Sequence, residues 1–122
     1  MKLVYVAGKL NSDAVGYLKN VYVMNQLADQ TRRAGFAVAN PCLDLIMGLT
    51  FGDYGYADYF DNNQEILTRC DAVLCCFNWE TSEGTKREIA MAESLDIPVF
   101  FSLGELINAN VQRREFCQCK EK

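Results

Sequence analysis

The chain has no histidine. That absence removes the commonest general base at neutral pH, the commonest metal ligand, and every Ser–His or Cys–His nucleophile pair. Any chemistry must then fall to carboxylates, hydroxyls, amides or thiols. Long apolar runs are missing as well. None approaches the roughly 18 residues of a membrane-spanning helix, so no membrane partner is expected. Positive charge is in deficit: 12 Lys and Arg stand against 16 Asp and Glu, for a formal charge of −4. Proteins that bind nucleic acid usually carry an extended basic patch, and none is visible here. A small neutral or singly phosphorylated ligand fits this balance better than a polyanion.

What is present describes one domain. The 122 residues, half of them apolar, suffice for a single core. The opening residues, Met1 to Gly8, have the flavour of a secretion signal, but the apolar stretch is too short and Lys9 interrupts it. It reads as a first strand. Six cysteines occupy positions 42, 70, 75, 76, 117 and 119. Cys75 and Cys76 lie within an apolar run, as buried thiols acting as small hydrophobes do. Cys117-Gln118-Cys119 is a CxC pair, whereas zinc sites favour CxxC spacing and four ligands. Neither a metal nor a cofactor is expected. Reduced thiols without a secretion signal point to the cytoplasm.

Apolar runs and helical periodicities alternate along the chain. Leu3–Ala7 reads as a strand ending in Gly8. Asn11-Ser12-Asp13 offers caps for a helix with Leu18, Val21, Met24 and Ala28 on one face, stopped by Gly35. Residues 36–39 form a second strand. Residues 42–56 read as an irregular connection, with Gly48, Gly52 and Gly55 among aromatics. Residues 59–69 are helical by pattern, Phe60, Gln64 and Leu67 sharing one side with Asn63 elsewhere. Residues 71–77 form a third strand, apolar after its first residue, residues 78–84 a loop into a helix ending near Leu95, and residues 98–101 a fourth strand. Residues 103–109 suggest a short helix, and residues 110–122 a polar tail outside the 1–109 domain. This alternation implies a single doubly wound α/β domain, flavodoxin- or Rossmann-like, with a short parallel sheet of four or five strands. Ligands of such folds bind at the carboxyl ends of the strands. The loops at residues 8–13, 40 onward and 78–84 meet there.

Chemistry concentrates in Trp79-Glu80-Thr81-Ser82-Glu83-Gly84-Thr85-Lys86-Arg87-Glu88. Gly84 lets the backbone approach a ligand, and the free amides opening the helix favour an anion. Glu88, one turn in, would point toward the same pocket. Alternatively, Thr85 and Glu88 form a T-x-x-E capping box, which by itself would explain the glutamate. Trp79 offers a face for a planar base, or covers the sheet edge. Asp71 begins its strand, about 20 Å from the carboxyl edge, and is excluded from the site.

Two segments resemble a known family. Tyr5-Val6-Ala7-Gly8 is similar to the Tyr-x-x-Gly first strand of the nucleoside 2-deoxyribosyltransferases. Cys70-Asp71-Ala72-Val73, then Trp79-Glu80-x-Ser82-x-Gly84-Thr85-x-x-Glu88 and residues 90–99, resembles their strand, loop and helix. The likeness covers most of residues 1–101. It implies cleavage or transfer of a deoxynucleoside N-glycosidic bond, with Glu88 as nucleophile and Tyr5 orienting it. Ser82, where transferases often carry aspartate, resembles the deoxynucleoside 5′-monophosphate N-glycosidases and implies a phosphorylated substrate. Ser82, Gly84 and Thr85 would then meet the phosphate beside Gly8, with Lys9 as counter-charge or as a solvated lysine. The resemblance also implies a homodimer or larger homo-oligomer that closes the pocket. The apolar residues of 42–56, among them Leu43, Leu45, Ile46, Met47, Leu49 and Phe51, suit such a contact. One position departs from the family. An aspartate that helps protonate the leaving base is replaced by Asn63, which can hydrogen-bond a base but not deliver a proton. The alternative to an enzyme is therefore a nucleotide-binding module using the same pocket.

Overall fold

The apolar run Leu3–Ala7 forms β1, and the remaining elements are arranged around it. The structure is a computed structural model describing residues 2–10, 12–52 and 54–120, with the backbone alone for 45, 46 and 113–120. Asn11 and the side chains of Leu45, Ile46, Cys117 and Cys119 lie outside the described residues. In chain order the elements are β1, α1 (Ala14–Arg33), β2 (Ala37–Ala39), α2 (Cys42–Phe51), α3 (Tyr56–Leu67), β3 (Ala72–Cys75), a 3-10 turn (Trp79–Thr81), α4 (Glu83–Ser94), β4 (Val99–Phe100) and α5 (Leu103–Lys120). The four strands are all parallel, in the order β2-β1-β3-β4. This is the doubly wound α/β arrangement expected from the alternation of elements.

Alternation along β1 decides which layer each side chain meets. Tyr5 and Ala7 pack with Leu67, Val73, Cys75 and Ala92, toward α3 and α4. Val4 and Val6 face the other way, toward Phe36, Met24, Ala28 and Leu106 of the α1 and α5 side. Tyr5, Val4, Val6 and Leu74 are almost wholly buried, so the strands are apolar on both faces as parallel strands require. At the amino edge, Asp71 Oδ2 accepts from the amides of Lys2 and Leu3 at 2.9 and 2.8 Å. Its role there is to tie two strand starts together.

Three expectations are corrected. Residues 42–51 form helix α2 rather than an irregular connection. Pro41 stands at its N-cap position, and Gly52, at φ +80°, ends it in the left-handed conformation with its N–H on Gly48 O at 2.7 Å. Gly48 sits against Tyr59, whose hydroxyl would have to move for a Cβ there. The glycines mark a helix stop and a close contact, not a loop. Second, the C-terminal helix does not stop at Ala109 but runs on to Lys120, and Asn110, placed in the polar tail, is buried. Third, Leu18 does not share the packed face of α1. It is 68% exposed, while Thr31 is buried with its hydroxyl donating to Leu27 O at 2.7 Å. Asp13 caps α1 by accepting from Gly16 N at 2.7 Å.

β1 and β3 end in register, Ala7 opposite Cys75, and the Cys76 amide donates to Ala7 O at 2.7 Å. The next residue, Gly8, therefore passes directly against Cys76. A Cβ on Gly8 would lie 2.8 Å from Cys76 Sγ and 3.0 Å from Cys76 Cβ. Neither backbone can yield without disturbing the ladder. Gly8→Ala is expected to destabilise the protein by about 1–3 kcal/mol, the range of overpacking in a tight core. Urea unfolding measures it, and a variant as stable as wild type would mean that this approach is not constraining.

Candidate functional site

In the order 2-1-3-4, β1 and β3 are the neighbours between which the chain's direction of winding reverses, and the crevice above them is the expected ligand position. A cavity of about 670 Å³ opens there. Three pieces of chain build most of it, with Tyr17 added from α1. The turn after β1 contributes Gly8, Lys9 and Leu10; α3 contributes Phe60, Asn63, Gln64 and Leu67; the loop and first turns of α4 contribute Thr81 to Thr85, Arg87, Glu88 and Met91. A network of amides holds the first and third pieces together. Asn78 Oδ1 accepts from Lys9 N at 3.3 Å, Asn78 Nδ2 donates to Asn20 Oδ1 at 3.3 Å, and Asn20 Nδ2 donates to Leu10 O at 3.3 Å.

The rim of α4 differs from a T-x-x-E cap. Ser82 is the N-cap, its Oγ accepting from Thr85 N at 3.1 Å and from Thr85 Oγ1 at 2.9 Å. Thr85 is buried in the first turn. Glu88 has no part in capping, so that explanation of the glutamate falls away. Gly84, Arg87, Glu88 and Met91 follow the 0, 3, 4, 7 spacing of one helical face, and all four line the cavity.

Glu88 lines the cavity, and Tyr5 of β1 acts on its carboxyl. Tyr5 is 1% exposed, and neither Tyr5 Oη nor Glu88 Oε2 has a hydrogen-bond partner although both atoms are buried. The two groups face each other without closing a formed hydrogen bond. Burial raises the Glu88 carboxyl to about 7, the Tyr5 hydroxyl offsetting part of that rise. The Tyr5 phenol is pushed far up, first by burial and then by Glu88, so it remains a neutral donor. A carboxylate that is poorly solvated and incompletely hydrogen-bonded is a better nucleophile or base than one in water. The thiols differ: burial lifts Cys75 to about 12 and Cys76 to about 11, which keeps them protonated and unreactive.

The structure brings Gly8, Lys9, Asn63, Ser82, Gly84, Thr85 and Glu88 to one cavity. Tyr5 borders a second, of about 330 Å³, which Asn63 also lines. Asn63 reaches both because Phe60, Asn63, Gln64 and Leu67 share a face of α3, contrary to the expected separation. Trp79 is not brought in. Its ring packs on Phe101, centroids 4.9 Å apart, and covers the sheet edge. The aromatic surface comes instead from Tyr17, Tyr56, Tyr59 and Phe60, none singled out from sequence. For Tyr56, Tyr59 and Phe60 the signal was the aromatic density of residues 54–60; Tyr17 gave none.

A family model described as a domain of unknown function, DUF4406, matches residues 2–101. The chain belongs to this family. No curated protein and no solved structure matches it. The DUF4406 span takes in every residue lining either cavity and ends before α5. The site is thus built wholly from the family domain.

Because the Glu88 carboxyl is raised from 4.5 to about 7 on folding, the unfolded chain releases its proton first as pH rises. Stability should therefore fall between about pH 4.5 and 7 and level off above, with the full shift equivalent to about 3 kcal/mol before discount for the exposed part of the side chain. Glu88→Gln removes this dependence. It is expected to match wild type near pH 4.5 and to exceed it by about 1–3 kcal/mol at pH 8. Urea unfolding across that range checks the sign; a constant difference would mean that Glu88 is not held at a raised pKa.

Proposed function

We propose that this DUF4406 protein cleaves or transfers the N-glycosidic bond of a deoxynucleoside, preferentially a 5′-monophosphate, through a covalent glutamyl–sugar intermediate. The observation that carries the reading is the buried Glu88 carboxylate facing Tyr5 on the wall of the main cavity. The resemblance of the Tyr5–Gly8 and Trp79–Glu88 segments to the nucleoside 2-deoxyribosyltransferases supports it.

In this reaction a Glu88 oxygen forms a bond to the anomeric carbon, and the electron pair of the C–N bond departs with the base. Tyr5 holds the carboxylate in line. Water, or a second base, then attacks the same carbon, and the carboxylate is released unchanged. Ser82 Oγ already accepts two hydrogen bonds, which leaves its own proton to donate. With the free amides of the α4 N-terminus it suits a phosphate. Asn63 lies on the cavity wall and can hydrogen-bond the base. Since an amide supplies no proton, the leaving base takes one from solvent, and turnover is slow. That same residue favours a second reading, a nucleotide-binding module that keeps the pocket without rapid chemistry.

We place the protein in the cytoplasm, where the four buried free thiols among its described residues stay reduced, and assign it to a symmetric dimer or larger assembly. Among the described residues no helix is long and apolar enough to cross a membrane. Helix α2 turns Leu43, Met47, Leu49 and Phe51 outward, Leu49 being 80% exposed, beside Tyr56 at the cavity rim. A partner seated there would close the open side of the pocket.

Incubation with the deoxynucleosides and their 5′-monophosphates, followed by chromatography, should reveal free base. Glu88→Ala should lower that release at least about a thousandfold while leaving the fold intact. Release that survives the substitution would remove Glu88 as nucleophile. A monophosphate that raises the melting temperature without turning over would establish the binding-module reading. Light scattering at micromolar concentration should give at least twice the 13.8 kDa chain mass; a clean monomer would end the assembly proposal.

A further inference from the structure

The cavity is lined by charge of both signs. Lys9 and Arg87 are its cations, Glu83 and Glu88 its carboxylates. Glu83 is engaged by Lys86 at 3.6 Å. Glu88 carries a carboxyl raised by burial and only partly offset by Tyr5, with no cation acting to lower it. Arg87 is its chain neighbour and shares its helical face, yet its guanidinium turns the other way. Nη1 donates to Tyr56 Oη, 3.2 Å away at the start of α3. Arg87 forms no ion pair with any described carboxylate. A guanidinium with five donors is thus held at the rim by one neutral oxygen, within a cavity that the carboxylate also lines. Such a group is suited to accept an anion in bidentate fashion.

We infer that Arg87, positioned by Tyr56, is the determinant that selects phosphorylated over unphosphorylated ligands at this site. The inference rests on the function proposed above and names the residue that would fix its substrate class. Lys9 is the lesser candidate, since its loop is fixed through its backbone amide on Asn78 rather than through its charge. The separation has a physical reason. A guanidinium beside Glu88 would lower its pKa and pair with it, blunting the nucleophile. Placed across the rim it can neutralise phosphate while leaving the carboxylate poorly solvated.

The test is the ratio of affinities for each deoxynucleoside 5′-monophosphate and its parent deoxynucleoside, measured by calorimetry or thermal shift on the full chain. Arg87→Gln should lower the preference for the monophosphate by about 10- to 100-fold, the loss expected for a charge-assisted pair. Arg87→Lys should restore part of it, because charge is kept and bidentate geometry is lost. Tyr56→Phe should lower it a few fold, with the same direction of change. A ratio unmoved by Arg87→Gln would overturn the inference, as would equal weakening of both ligands. Base release from wild type together with an unmoved ratio would sink the specificity role alone. An Arg87-dependent preference without any release would sink the glycosidase reading and leave the selectivity standing. Wild type binding neither ligand would end both.

Discussion

The in-register pairing of β1 with β3 is the constraint on which the site depends. It sets Ala7 against Cys75 and forces the two following turns side by side, so that Gly8 packs on Cys76 and the Lys9 amide reaches Asn78. The same pairing puts Tyr5 beneath the layer of α3 and α4, where its hydroxyl meets Glu88. A slip of one residue would turn Tyr5 to the α1 side and leave Glu88 without its partner. Fold and site are therefore specified by the same ladder of hydrogen bonds.

The chemistry follows from where water is excluded. Glu88 sits on the first turns of α4, whose N-terminus favours negative charge, yet its carboxyl is raised. Desolvation outweighs the helix dipole because the Oε2 atom is buried and lacks a hydrogen bond. The price of that burial is conformational stability near neutral pH, a common cost of an active carboxylate. Around this one destabilised group the remaining features are conventional: a serine cap, a network of two asparagines, and inert thiols in the core.

Some elements were legible because local signals and burial agreed. The apolar run of β1, the Asp13 cap with Gly35 as its stop, and the alternation of strands with helices each stand in the structure much as read. Residues 42–51 misled because glycine is ambiguous in one dimension. Gly52 adopts a left-handed helix stop and Gly48 makes room for Tyr59, and the second role is set by a residue on another helix. Trp79 left two readings open for a related reason: the partner that decides for the sheet edge, Phe101, lies beyond the next helix, directly after β4. Asn63 was set apart from Gln64 although a helical face wide enough to line a cavity takes in both.

Sequence alone determined the fold class, the absence of histidine chemistry, and the candidacy of Ser82, Gly84 and Glu88. The first two depend on periodicity and composition, and the candidacy of Ser82 and Glu88 on a resemblance to the nucleoside 2-deoxyribosyltransferases, all carried by local stretches of chain. Tertiary structure decided that Glu88 is released from capping and desolvated, that Tyr5 faces it, and that Arg87 is held away from it by Tyr56. Each of these is a relation between side chains brought together from different elements. A carboxylate's ionisation is governed by what excludes water and which dipoles face it, and those neighbours come from β1, α3 and α4 only once the sheet has formed.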